Sequence, residues 1–197
     1  TVVDTSQIQS YIFRSNRLQE NLGASYLVAQ ATGAWATEAA RNAGMRCEIY
    51  AGGGNYMALF SSFDDARRFA RALSLKVLSE APELRLEIAS CDCPDGEFQQ
   101  KRTEVFRILA KQKAGGPRSL PPLGLGVTAV CRSTGLPAVD LGPSYEEDPE
   151  AVYRASSETI AKLSARQSAH GLLCKAVPPP DGYDYPSQFD HLGRSVD

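Results

Sequence analysis

The sequence predicts an α+β domain in which four strands and two helices follow one another as βαββαβ. Three observations predict it. The chain opens on β-branched residues, Val2-Val3-Asp4. A glycine-rich hairpin, 46–60, sits between two short apolar runs. Helical periodicity over 18–42 and 63–81 flanks that hairpin, and the second stretch leads into the alternating run Leu84, Leu86, Ile88. Both helix patterns carry one apolar stripe, so they are expected on one face of a four-stranded antiparallel sheet, with the other face left open.

Composition bounds the class. With 197 residues, 43% apolar, and a formal charge of −2, the chain can bury one core with a smaller appended segment, and it has no whole-chain charge footprint for nucleic acid. No run of about 18 apolar residues and no leader-like start is present, which predicts a cytoplasmic protein without a membrane partner. The 5 cysteines are irregularly spaced and predict reduced thiols. The chain starts at Thr1 without a methionine and stops at Asp197 after a loop-like segment, as expected of a piece of a larger protein.

Taken in order, Asp4 falls at the C-terminal end of the first strand, where sheets with βα connections assemble sites; the alternative is an Asx turn or helix cap. Ile8, Tyr11, Ile12 and Phe13 mark a short amphipathic turn, with Ser6, Gln7 and Gln9 directing polar groups toward the strand ends. Leu27, Val28, Ala31, Trp35 and Ala39 define the buried stripe of the 18–42 helix, ended by Gly44. Within it, Gly23-Ala24-Ser25 permits close approach to a strand; the functional alternative is a Ser25 hydroxyl on a phosphate oxygen.

The hairpin pairs 46–51 with 56–60 across Gly52, Gly53, Gly54 and Asn55. These residues supply positive φ angles, and they either make only a turn or also let a phosphate approach a bare backbone. Ser62 and Asp65 have capping-box spacing before Ala66, Phe69, Ala70, Leu73 and Val77, and Pro82 closes that helix. A further helix, 97–113, carries Lys101, Arg102, Arg107, Lys111 and Lys113, with Arg118 nearby; it is either a solvated face or a contact for phosphates and RNA-bearing partners. Residues 114–142 are rich in glycine and proline, with a β segment at 123–130; 148–175 reads as a helix, and Pro178-Pro179-Pro180 opens a linker-like tail. The expected organisation is a core at 1–93, a helical extension with a knuckle-like insert at 94–177, and a linker at 178–197.

Several chemistries are disfavoured. Cys91, Cys93 and Cys131 lack the paired spacing of a structural zinc site. There is no G-x-S-x-G, and His170 and His191 have no evident partners. Gly52 to Asn55 lacks the lysine of a P-loop. Two-metal phosphoryl transfer needs carboxylates converging on ions about 3.5 to 4 Å apart; Asp4 supplies one, the hairpin none, so no catalytic or metal-binding residue is assigned.

In order and spacing, Asp4-Thr-Ser-Gln-Ile-Gln-Ser-Tyr-Ile-Phe13, Gly23-Ala-Ser25 and Gly52-Gly-Gly-Asn-Tyr-Met-Ala-Leu-Phe60 resemble the non-catalytic palm domain of the large polymerase-like subunit of type III CRISPR effector complexes, over about residues 1–140. The resemblance implies a ferredoxin-like palm that packs against a second palm of the same or another chain. That second palm bears a Gly-Gly-Asp-Asp hairpin and converts ATP into cyclic oligoadenylate in antiviral defence. It further implies ATP with Mg2+ in a composite site to which this chain contributes Asp4, Ser6, Gln7, Ser25, Gly52, Gly53, Gly54 and Asn55, with no activity of the chain alone. RNA-guided effector subunits are implied partners. Cys131-x-x-Thr134 is similar to a zinc-knuckle region in which a second cysteine would stand at Thr134. The competing expectations are an RNA- or protein-binding module that uses exposed aromatics such as Tyr50, Tyr56 and Phe60 on its sheet, or a structural scaffold.

Overall fold

A computed structural model describes residues 1–115, 126–142 and 153–186. Its elements run β1 (Val2–Ser6), α1 (Ile8–Ile12), α2 (Leu18–Thr32), α3 (Ala34–Asn42), β2 (Met45–Gly52), β3 (Asn55–Phe60), α4 (Phe63–Glu80), β4 (Arg85–Ala89), α5 (Phe98–Gly115), β5 (Asp140–Leu141), β6 (Arg154–Ala155) and α6 (Ser157–Ala176). The chain divides into two compact units, one of Thr1–Ile8 with Val28–Ser119, the other of Gln9–Leu27 with Leu120–Asp197. In this division α5 falls with the sheet, and residues 9–27 fall with the C-terminal segment.

The first unit is an antiparallel sheet in the order β2-β3-β1-β4, with helices. Register assigns its faces, because alternate residues of a strand point the same way. Val3 lies opposite Tyr56 and Ile88, while Val2 lies opposite Met57 and Ala89. On the Val3 face, Tyr56 and Phe60 put their rings 5.5 and 5.1 Å from that of Phe69 in α4, and Val3, Tyr56, Ala58 and Phe69 are fully buried. Ser62 caps α4 by accepting from the Asp65 amide at 3.1 Å, as the spacing predicts.

The other face is not open over its whole width. Val2 and Ala89 form one cluster with Val105 and Leu109 of α5, joined by Met57, Cys91 and Ile108. A sheet apolar on both sides needs two covering layers, and α5 supplies the second over β1 and β4.

The expected 18–42 helix is two helices. Gly33 separates them with φ −113° and ψ −106°, and a Cβ there would stand 2.7 Å from the Ala29 carbonyl oxygen. The break lets α3 turn onto β2 and α4.

In the second unit, α6 begins at Ser157, later than the expected start at Asp148, which lies outside the described residues. Ser156 caps it by accepting from the Thr159 amide at 3.3 Å. The two preceding residues instead form β6, paired with β5. Of the β segment expected at 123–130, 123–125 lie outside the described residues; the rest makes one isolated bridge, Val130 to Pro137. Tyr153, Ala155 and Leu163 form the apolar core there, with Ile160 against it. No described helix is long and apolar enough to cross a membrane, and Cys47, Cys91, Cys93, Cys131 and Cys174 are free thiols.

Candidate functional site

The β2–β3 loop is Gly53-Gly54, closed by the pair Gly52 and Asn55. Both loop glycines have positive φ, +58° and +85°, the combination a two-residue hairpin with the right twist demands. The third glycine, Gly52, has φ +134° and nothing within 4 Å of where a Cβ would stand. Gly54 is required for a second reason. A Cβ on it would fall 2.4 Å from Ile8 Cδ1 and 2.7 Å from Thr5 Oγ1, and its carbonyl accepts from both the Thr5 amide and the Thr5 hydroxyl at 2.8 Å. The loop is thereby pinned to the end of β1.

This anchoring brings Asp4 into register with Asn55 on one side and Glu87 on the other, on the face that α5 covers. The Asp4 carboxylate does not stand free: it is paired with Lys113 of α5. A carboxylate held by an ammonium group offers less to a divalent ion, and no second acid comes from the hairpin, so these residues do not fit a two-metal centre. Asn55 turns inward on its own loop, with Nδ2 donating to the Gly53 carbonyl at 3.4 Å. Tyr50 overhangs Gly53, its hydroxyl 3.1 Å from where a Cβ would be.

Ser6 ends β1 opposite Arg85. Gln7, exposed at the β1–α1 junction, has φ +58°, a conformation a non-glycine residue adopts only where its surroundings impose it. Ser25 belongs to the second unit, and its hydroxyl donates to the Asn21 carbonyl at 2.9 Å, one helical turn back. The close approach at Gly23 is to a helix, where a strand was expected: a Cβ would stand 1.9 Å from the Lys162 carbonyl oxygen of α6.

The second unit contains a buried polar system that sequence reading missed. Lys162, fully buried, donates to Glu158 Oε1 at 2.6 Å and to the Tyr11 carbonyl, and its Nζ lies 4.3 Å from the centre of the Tyr11 ring. Arg14 pairs with Glu158 Oε2 at 2.5 Å. Burial pushes the Lys162 pKa down, and the Glu158 carboxylate opposes that push. Beside this lies Glu20, whose Oε1 accepts from Tyr153 at 2.6 Å and Ser133 at 2.8 Å, while Oε2 is buried without a hydrogen-bond partner among the described residues. The four-residue spacing of Glu158 and Lys162 was a legible signal for one pair; Glu20 and Ser133 are 113 residues apart and gave none.

Cys131, Thr134, Ser156 and Thr159 converge in a third cluster. Thr159 Oγ1 is 3.4 Å from Cys131 Sγ and 3.2 Å from Ser156 Oγ, which is 3.1 Å from Thr134 Oγ1. Burial raises the Cys131 thiol pKa, but hydrogen bonds from Thr134 and Thr159 and from the Ser156 and Thr134 backbone outweigh it and bring the thiol down to about 7. One sulfur and three hydroxyls do not make the thiolate and imidazole set of a structural zinc knuckle; the hydroxyls hold one another instead. Among the described residues no group of three or more His, Cys, Asp or Glu side chains is arranged to hold a metal.

Neither a protein-family model nor a curated protein matches this chain.

Proposed function

We propose that this chain is a nucleotide-binding, non-catalytic ferredoxin-like palm, half of a cyclic oligonucleotide synthase of the type III CRISPR kind, with ATP and Mg2+ held jointly with a Gly-Gly-Asp-Asp palm. The observation that carries the reading is the β1–hairpin junction. A glycine loop with open backbone at Gly52, and at Gly53 only the Tyr50 hydroxyl nearby, is fastened beside a strand-end carboxylate, Asp4, that Lys113 already pairs with. Glycine amides and Ser6 can donate to phosphate oxygens there, while the charge needed to hold two metal ions is missing. The strand order β2-β3-β1-β4 supports the ferredoxin-like assignment, and the uncovered part of the sheet, with Ile49 and Tyr50 exposed on edge strand β2, supports a docking surface for the second palm.

The rival module that stacks RNA bases on its sheet is less well supported, because two of its three aromatics face inward. Tyr56 is fully buried and Phe60 packs on Phe69, leaving Tyr50 alone among them exposed, on an edge strand.

Calorimetry with Mg·ATP tests the assignment. The chain alone binds weakly, and Gly53→Asn, which tolerates a positive φ, weakens that binding by placing a side chain over the loop. Unchanged affinity in Gly53→Asn overturns the hairpin assignment; cyclic or linear oligonucleotide made from ATP by the chain alone overturns the non-catalytic one.

A further inference from the structure

A cleft of about 760 Å³ opens between β4 and α5, lined by Glu87 and Ile88 on one side and Arg107, Ile108, Lys111 and Gln112 on the other. Its volume falls within the range of small-ligand sites. It lies wholly in the first unit and makes no use of Gly52 to Asn55.

The cations of α5 are unequally occupied. Lys101 is paired with Glu104 at 2.8 Å and Lys113 with Asp4. Arg107 and Lys111 have no ion pair or hydrogen bond among the described residues, both are exposed, and both line the cleft. They are four residues apart, so their side chains rise from the same face of α5, and like charges at that spacing repel by about 0.2–0.5 kcal/mol. A dianion between them relieves the repulsion and gains charge-assisted hydrogen bonds from both. Ile108 adds apolar surface, Ile88 lines the cleft from a position whose side chain belongs to the opposite sheet face, and Glu87, on the α5 face, adds an acceptor opposite the two cations.

We propose that this cleft binds a nucleoside mono- or diphosphate. The phosphates sit on Arg107 and Lys111, the planar base lies on Ile108, and the Glu87 carboxylate accepts from a ribose hydroxyl or a base amine. The site is independent of the hairpin reading: it stands if that reading fails and falls without harming it.

The test is calorimetric titration of the full chain with ADP at low salt, with inorganic pyrophosphate as a second probe. Wild type binds ADP more tightly than pyrophosphate. Arg107→Gln with Lys111→Gln, both at exposed positions, weakens ADP by about tenfold or more, the scale of losing charged hydrogen bonds. Lys101→Gln, on the same helix outside this cleft, and Gly53→Asn leave the affinity within about twofold of wild type, below the worth of one hydrogen bond. The proposal is overturned by no ADP binding at about 1 mM, the weak end of specific affinity. It is equally overturned by an equal loss in Lys101→Gln, which would mean diffuse charge attraction, or by a loss in Gly53→Asn with the double variant unchanged. Pyrophosphate binding as tightly as ADP removes the nucleoside from the proposal.

Discussion

At the residue scale, several positions tolerate only what they have. Gly54 combines a positive φ with a Cβ position already occupied by Ile8 and Thr5, so Gly54→Ala is expected to cost about 1–3 kcal/mol in chemical denaturation, through overpacking and left-handed strain together. Gly52, with φ in the same half of the map but open space around it, should cost less on the same change. Cys131 gives a pH signature. Its folded-state pKa is depressed to about 7 from an ordinary value of 9.0, so the unfolded chain binds more protons between those values and stability rises with pH there. The contribution is fully present above the unfolded pKa and is lost as pH falls through 7. Denaturation midpoints followed from pH 6 to 9.5 should show this rise in wild type and lose it in Cys131→Ser.

At the element scale, α6 is organised by charges that other elements satisfy. Glu158 sits in its first turn, where a carboxylate suits the helix dipole, and Lys162 lies one turn on, both fully buried. Removing Glu158 leaves the buried Lys162 ammonium without its carboxylate, so Glu158→Leu is expected to lose about 3–5 kcal/mol, whereas Glu158→Leu with Lys162→Met should lose less than that single change. A double-mutant cycle by urea unfolding measures the coupling; a double variant less stable than either single one would contradict it. For α4 the expectation is smaller: Ser62→Ala removes one capping acceptor and costs about 1 kcal/mol in thermal unfolding.

At the scale of the whole molecule, the balance of acids and bases decides what chemistry the proposed palm can perform. Replacing Asn55 with aspartate sets a hairpin carboxylate beside Asp4, on the side opposite Glu87, yet Lys113 still competes for Asp4. Mn2+ binding followed by electron paramagnetic resonance is therefore expected to be weak in Asn55→Asp and to strengthen by about tenfold or more when Lys113→Ala is added, the scale of releasing one carboxylate from a charged hydrogen bond. Equal binding by both would show that the lysine does not govern the site.

Much of this protein was written in local patterns. The Ser62 cap, the alternation of Leu84, Leu86 and Ile88, and the paired positive φ at Gly53 and Gly54 are encoded by neighbours in sequence, and an antiparallel four-stranded sheet follows from them because each apolar stripe must be buried. The candidate hairpin was legible for the same reason. What sequence left undetermined depends on residues far apart in the chain. The partner of Asp4 is 109 residues away, and α5 lies on the second sheet face because Val105 and Leu109 find Val2 and Ala89 there. Gly23 needs its small size for the Lys162 carbonyl, a contact no spacing rule anticipates. The buried network of Arg14, Glu158, Lys162 and Tyr11 reads as ordinary surface charge until tertiary packing removes the water. Burial turns such side chains from solvated charges into obligatory partners, and burial is a property of the folded chain alone.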